Sequence, residues 1–240
     1  MHVPDGFLDA PTSLATGAVA VVAVGVALRG ARRELDDRTA PMAGLVAAFV
    51  FAGQMLNFPV AGGTSGHLLG GALAAVLVGP WTAVLCLSVV LFVQALLMAD
   101  GGITALGTNV TLMAVVAVLV GYAVFRLVRL VLPRRPAMVA PAAAVAAFAS
   151  VPAAAFVFTL LFEYGGTAAV PFDTLLAAML GWHVLIGLGE AAITGLVVGS
   201  VVAARPDLVH GARGAAPAQE LEIRGGHDSG LDKLDHRGVA

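Results

Sequence analysis

The chain has 240 residues, of which 59% are hydrophobic and 12% are charged, and its formal net charge at pH 7 is −2. Soluble globular domains carry about 25% charged residues, so this composition excludes an ordinary soluble protein and indicates an integral membrane protein. A net charge this close to zero also argues against nucleic acid as a partner.

Seven apolar runs follow one another along the chain. They cover residues 12–28, 41–58, 67–79, 81–98, 107–131, 137–162 and 174–204. A helical span needs roughly 20 apolar residues, and only helices or closed barrels satisfy the backbone inside a bilayer. Because the runs lack the alternation of barrel strands, the sequence predicts an all-α integral membrane protein, a bundle of about seven transmembrane helices. The run 67–79 is short, so we expect its outer end, at His67, to lie below the outer membrane surface.

Basic residues predict the orientation in the membrane. Arginines cluster in 29–38 and 126–135 and follow the last run, whereas the segment before residue 29 and the other connections contain no Lys or Arg. The positive-inside rule then places the N-terminus outside and the C-terminus in the cytoplasm of a multi-pass cell-membrane protein. Because no basic residue precedes the first run, as one would in a secretory signal peptide, we expect the N-terminus to be retained.

Composition divides the chain into three parts. Residues 1–11 form a short N-terminal segment, residues 12–205 form the transmembrane domain, and residues 206–240 are polar and Gly-rich. This last composition predicts a flexible cytoplasmic tail, in which three histidines are expected to be solvated: His210, His227 and His236.

Three functional classes can be weighed from single motifs: nucleotide binding, intramembrane proteolysis and haem binding. The chain has no G-x-x-x-x-G-K-[ST] motif and its one lysine, Lys233, lies in the tail, so it is not expected to bind ATP through a P-loop. An intramembrane protease could use Ser65 with His67 or His183, although the stretch GTSGH lacks the G-x-S-x-G spacing. A bis-histidine haem protein could use His67 and His183. Both remain alternative hypotheses.

Polar residues inside the apolar runs are costly in a bilayer and indicate function by default. They are Gln54, Asn57, Thr64, Ser65, His67, Gln94, Asp100, Thr104, Thr108, Asn109, His183 and Glu190. Interhelical hydrogen bonding explains Gln54, Asn57, Thr108 and Asn109 equally well. His183 and Glu190 are seven residues apart on one helix face, where a structural polar contact is the favoured interpretation.

The opening stretch MHVPDGF can chelate a metal ion. The α-amine of Met1, the amide nitrogen of His2 and the His2 imidazole are three consecutive nitrogen donors. Amide nitrogens bind metals that favour tetragonal nitrogen fields, namely Cu(II) and Ni(II). Pro4 and the turn signature PDG can fold the segment inward. His67, predicted on the same membrane face, is the candidate for a fourth nitrogen.

These stretches together resemble the CbiM/NikM family. MHVPDGFLD, LNFPVAGGTSGHLLGGALAAVLVGPW and VQALLMADGGITALGTNVTLMA are similar to three ordered signatures of that family, and GWHVLIGLGEAAITG is similar to its last-helix motif. The resemblance implies the substrate-capturing membrane component of an energy-coupling-factor importer for cobalt or nickel. It also implies one divalent ion held by Met1, His2 and His67.

The same resemblance implies further residues and partners. Asn109 and the loop ADGGITALGTN, which contains Asp100, would close over the site, and Thr64 and Ser65 precede the His67 ligand. The expected partners are a transmembrane coupling subunit, ATPase subunits and a small membrane accessory subunit. Ni(II) is slightly favoured over Co(II) as the substrate, and the chain itself is expected to catalyse no covalent reaction.

Overall fold

The computed structural model describes residues 2–37, 39–56, 58–60 and 64–213. The described part of the chain is built mainly from helices that are joined by short loops. In chain order its main elements are α1 (Ala10–Glu34), α2 (Ala40–Gln54), β1 (Phe58–Val60), β2 (Thr64–Gly66), α3 (Gly71–Val78), α4 (Pro80–Leu97), α5 (Leu106–Val131), α6 (Val139–Gly165) and α7 (Phe172–Ala204).

Five of these helices are long and apolar enough to cross a membrane: α1, α4, α5, α6 and α7. The predicted helical membrane protein is therefore confirmed. Helix α2 has 15 residues and α3 has 8, which is less than a full span requires. The count of about seven transmembrane helices, and the orientation of the termini, stay predictions.

Two helix boundaries differ from the sequence predictions, and a short strand pair accompanies the helices. β1 and β2 are antiparallel, and Phe58 lies opposite Gly66. The helix predicted to start at His67 starts at Gly71, since Gly70 has a left-handed φ of +77° that interrupts any helix before it. The first helix begins at Ala10 rather than after residue 11, because the Asp9 carboxylate accepts a hydrogen bond from Thr12 N at 2.9 Å and caps it.

Helix α3 forms the centre of the bundle, and all eight of its residues are buried. It packs closely against α5, where Gly71 faces Ala117 and Gly121 faces Ala72. A Cβ on Gly121 would lie 2.7 Å from the Cβ of Ala72. Small residues therefore set the close approach of these two helices, as they do between helices in membranes.

Helix α5 is continuous but not regular, because its turns from Val110 to Val116 have π geometry. Such turns insert a residue into an α-helix and are frequent at functional sites. Here they separate Asn109, at the start of the helix, from the arginine-rich end that follows Phe125. The two ends of α5 therefore present their side chains in directions that the π turns determine.

The predicted flexible tail does not begin at residue 206. Residues 206–213 form two short 3-10 turns, and Val209 and Ala212 are buried. His210 is half-buried rather than solvated, and its Nε2 lies 3.3 Å from the Tyr122 hydroxyl. These isolated apolar residues form no helical stripe, so the sequence pattern did not indicate that they pack. The rest of the tail, including His227 and His236, lies outside the described residues.

Candidate metal site

The N-terminal segment folds back over the start of α5, as its turn signature predicts. Val3 N donates to Asn109 Oδ1 at 2.7 Å, and Asn109 Nδ2 donates to Val3 O at 3.1 Å. Gly102 N adds a second hydrogen bond to Val3 O at 2.9 Å. Gly6, with a φ of +73°, completes the turn that follows Pro4. Both backbone polar groups of Val3 are thus satisfied by α5 and the loop before it.

The loop between α4 and α5 holds this segment through Asp5. The Asp5 carboxylate accepts hydrogen bonds from Thr104 N at 2.7 Å and from Thr104 Oγ1 at 2.6 Å. Hydrogen bonds to the ionised form lower a carboxyl pKa, and the bonds from Thr104 lower the pKa of Asp5. Gly102 lies so close to the Asp5 backbone that any Cβ there would overlap it. The loop and the N-terminal segment therefore fit together as one unit.

These contacts bury His2, whose exposed fraction is 6%. Its Nε2 lies 3.1 Å from Gln94 Oε1, and its Nδ1 lies 3.1 Å from Asp100 Oδ1. An amide oxygen can only accept, so a hydrogen on Nε2 pairs with Gln94. That tautomer leaves a lone pair on Nδ1, next to a carboxylate. A lone pair beside a negative charge is an arrangement that suits a bound cation.

His67 lies directly against His2. The two rings are stacked, with centroids 4.5 Å apart and an angle of 24° between their planes. His67 Nδ1 lies 2.7 Å from Leu68 O, a pure acceptor, so Nδ1 carries the hydrogen and Nε2 carries the lone pair. This Nε2 is buried, and it has no hydrogen-bond partner among the described residues. Buried polar atoms are rarely left unpaired, so His67 presents a nitrogen suited to a ligand that the protein itself does not supply.

Two polar side chains hold the backbone that follows His67. Both oxygens of the buried Glu190 carboxylate accept from consecutive amides, Oε2 from Leu69 N at 2.7 Å and Oε1 from Gly70 N at 2.9 Å. Gln54 Nε2 donates to Leu69 O at 2.8 Å. Residues 67–70 are not helical, so their backbone groups need these partners. The structural contact favoured for Glu190 is present, and it fixes the segment that carries His67.

His183 lies on the same helix as Glu190 and is fully buried. Its Nδ1 is 2.7 Å from Met179 O, one turn earlier, so the hydrogen on Nδ1 is donated within the helix. Its Nε2, like that of His67, has no hydrogen-bond partner among the described residues. The bond to Met179 fixes the ring against its own helix, which is the structural role favoured from the sequence.

Not all predicted site residues can be placed. The structure brings together His2, His67, Asp100 and Asn109. Met1 lies outside the described residues, and of Thr64 and Ser65 only the backbone is described, as part of β2. Within the described ranges, no cluster of three His, Cys, Asp or Glu side chains could hold a metal by itself.

The sequence prediction missed Gln94 as part of this site. It is fully buried in α4, with its side-chain oxygen 3.1 Å from His2 Nε2. The signal was present, because a glutamine in the middle of an apolar run needs a polar partner. The missing information was which of the many distant polar groups that partner would be.

Comparisons with known proteins agree on one family. Residues 2–208 match the family CbiM, described as "Cobalt uptake substrate-specific transmembrane region". The chain is 44% identical over 209 residues to a protein of Haloquadratum walsbyi named as a metal transport protein, covering 87% of this chain and 93% of that one. It is 37% identical over 243 residues to the fused nickel transport protein NikMN of Rhodobacter capsulatus, covering 94% and 69%. A crystal structure of a truncated transition metal transporter superposes with a TM-score of 0.78 at 33% identity, covering 85% of this chain and 99% of that one.

Proposed function

Because the chain belongs to the CbiM family of cobalt uptake substrate-specific transmembrane regions, we propose that it captures Ni(II) or Co(II) for an ATP-driven importer. The relatives that carry a metal in their names include a nickel transport protein and cobalt transport proteins. The chain binds the ion as transported substrate and catalyses no covalent reaction. Family membership favours this function over the haem and protease alternatives.

Four nitrogens hold the metal in this proposal: the Met1 amine, the His2 amide, His2 Nδ1 and His67 Nε2. The observation that carries it is His67 Nε2, a buried lone pair without a partner among the described residues, in a ring stacked on His2. His2 Nδ1 closes a six-membered chelate ring with its own amide nitrogen. Asp100 adds negative charge 3.1 Å from that atom. Asn109 supports the set by fixing the backbone of Val3.

Ni(II) is the preferred substrate in this proposal. A deprotonated amide with three further nitrogens provides a square-planar field, and the general affinity order places Ni(II) above Co(II). The two ions share the same ligands, so the preference is expressed as a ratio of affinities. Competition between them on the purified chain measures that ratio directly.

Energy for transport comes from partner subunits. The chain's one lysine lies outside the membrane segments and no P-loop motif is present, so ATP hydrolysis belongs to separate ATPase subunits. We propose a transmembrane coupling subunit and a small membrane accessory subunit as the other partners. The assembly lies in the cell membrane, with the metal site facing outward.

The test of this function is metal binding by the purified full chain. Wild-type protein should contain nickel or cobalt by mass spectrometry and bind added Ni(II) in calorimetry. His67→Ala, and one alanine inserted between Met1 and His2, should each weaken binding by more than about 100-fold, because even the outer partners of metal ligands are worth roughly 10- to 100-fold. His227→Ala removes a tail histidine and serves as the control. Unchanged affinity in both site variants would overturn the ligand assignment, and a Soret band in the purified chain would support haem instead.

A further inference from the structure

A second polar site lies at the other end of α5. Asn109 contacts the N-terminal segment, whereas Arg126 lies 17 positions later, roughly 25 Å away along a helix that rises about 1.5 Å per residue. At this far end a pocket of about 340 Å³ opens. It is lined by four arginines, Arg126, Arg129, Arg134 and Arg213, together with Tyr122 and His210. Nothing in the proposed transport function uses these residues.

The guanidinium groups of this arginine pocket have no acidic partner in the described part of the chain. Arg129 donates to Pro133 O and Arg213 donates to Glu34 O, both at 3.0 Å and both to neutral carbonyl groups. Arg126 and Arg134 have no hydrogen bond or ion pair there. A cleft lined by one sign of charge attracts ions of the opposite sign, so this pocket favours an anion.

Glu34, whose backbone oxygen accepts from Arg213, has a carboxylate that is already engaged. Its Oε1 accepts from Trp81 N at 3.2 Å, and its Oε2 accepts from Thr82 N at 2.7 Å and Thr82 Oγ1 at 2.9 Å. These bonds satisfy the first amides of α4. Glu34 therefore caps a helix and does not neutralise the arginine pocket.

The wall formed by the C-terminal segment contributes neutral hydrogen-bonding groups. The buried Nδ1 of His210 has no partner among the described residues, while its Nε2 faces the Tyr122 hydroxyl. Gly211 lies so close to Phe125 that a Cβ would come within 2.8 Å of that ring. The segment is thus fitted tightly into place, and His210 and Tyr122 lie at the pocket beside the arginines.

The mouth of the pocket adjoins surface suited to lipid tails. Leu127, Leu130 and Val131, at the end of α5, are 62%, 77% and 81% exposed. An apolar helix face that ends at a cluster of arginines marks the boundary between hydrocarbon and headgroups. A headgroup at that depth would meet the pocket while its chains lie along α5.

We propose that the arginine pocket binds a phosphate group, presented by the headgroup of an anionic phospholipid. Guanidinium groups pair with phosphate through two parallel hydrogen bonds, and basic pockets between membrane helices bind such headgroups. A soluble phosphate compound offers the same chemistry, but it lacks acyl chains to cover the adjoining leucines.

The test uses the full chain in neutral detergent. Phosphatidylglycerol, phosphatidylcholine and inorganic phosphate are added separately at equal ionic strength. Native mass spectrometry counts the bound lipid, and thermal unfolding measures the melting temperature. We expect phosphatidylglycerol to bind and to raise the melting temperature more than phosphatidylcholine does. The double variant Arg126→Gln/Arg134→Gln should weaken phosphatidylglycerol binding by about tenfold or more. Both side chains are exposed, so the variant should fold.

The control variant Arg29→Gln/Arg32→Gln removes two exposed arginines from α1 that do not line the pocket. It should bind phosphatidylglycerol like the wild type. An equal loss in both double variants would mean that only surface charge acts, and would overturn the proposal. Stabilisation by inorganic phosphate without any preference for phosphatidylglycerol would replace the lipid with a soluble anion and overturn the lipid assignment.

Discussion

Asn109 satisfies both backbone polar groups of Val3, accepting from its N–H at 2.7 Å and donating to its carbonyl oxygen at 3.1 Å. The side chain thus pairs with the N-terminal segment as a neighbouring strand would. An amide is needed for this, because an aspartate could accept but not donate and a leucine could do neither. Val3 directly follows His2, so Asn109 determines where the proposed chelate lies.

Removing this pairing should weaken metal binding without removing a ligand. Asn109→Ala should lower Ni(II) affinity by roughly 10- to 100-fold, the range seen when outer partners of ligands are lost. Calorimetry on the full chain measures the change. Thr111→Val is the matched control, because Thr111 is a buried polar residue of the same helix whose hydroxyl bonds to Thr16 O instead. Equal affinities in wild type and Asn109→Ala would show that the N-terminal segment is held by other contacts.

Glu190 should be required for both stability and metal affinity. In Glu190→Gln, a side-chain NH₂ group takes the place of one carboxylate oxygen and cannot accept a hydrogen bond. The backbone N–H of either Leu69 or Gly70 therefore loses its partner. The loss of a charged hydrogen bond, with a buried N–H left unpaired, should lower the free energy of unfolding by about 2 to 4 kcal/mol. Thermal unfolding and Ni(II) titration should show both effects.

Thr194→Val provides the comparison for that variant. Thr194 is also buried in α7, one turn after Glu190, and its hydroxyl has no partner among the described residues. Replacing it with a similarly shaped apolar group should leave stability unchanged or raise it. If Glu190→Gln is no less stable than Thr194→Val, the two hydrogen bonds from Leu69 and Gly70 to Glu190 contribute nothing measurable to the free energy of unfolding.

Gly102 should not tolerate a side chain. A Cβ at this position would overlap the Asp5 backbone, so Gly102→Ala should displace the N-terminal segment from the loop. Faster hydrogen exchange in residues 2–8, together with weaker Ni(II) binding, is the expected result. Gly44→Ala in α2 meets no neighbouring atom within 4 Å and should behave like wild type or be slightly more stable. Identical exchange in the two variants would refute the tight fit.

The contact between Asp5 and Thr104 should be sensitive only to strong acid. The Asp5 pKa is lowered from 3.8 by hydrogen bonds from Thr104. A lowered pKa means that the stabilising effect is complete above the unfolded value and is lost as pH falls through the folded one. The difference in melting temperature between wild type and Asp5→Asn should therefore be constant above about pH 5 and shrink below it. A difference that already shrinks between pH 7 and pH 5 would contradict this.

Sequence reasoning predicted the parts of this molecule that depend on local pattern. Runs of apolar residues predicted the long helices, and the PDG turn predicted the return of the N-terminal segment. The long-range pairs that build the site could not be predicted in this way. Glu190 accepts from backbone amides about 120 positions earlier, and Gln94 pairs with His2, 92 positions away. Nothing in the local sequence says which distant polar groups will meet. The packed segment 206–213 was missed for the same reason, since its partners are helix ends far along the chain.

The π turns of α5 also make the length of that helix part of its function. Residues 110–116 lie between Asn109, which binds Val3, and the end that carries Arg126. The widened turns already take up one residue more than a regular α-helix would over the same path. Deleting one residue within 110–116 is therefore expected to leave the two ends facing as they do. Deleting one residue in the regular turns after Ala117 would instead rotate the arginine-bearing end by about 100° relative to Asn109.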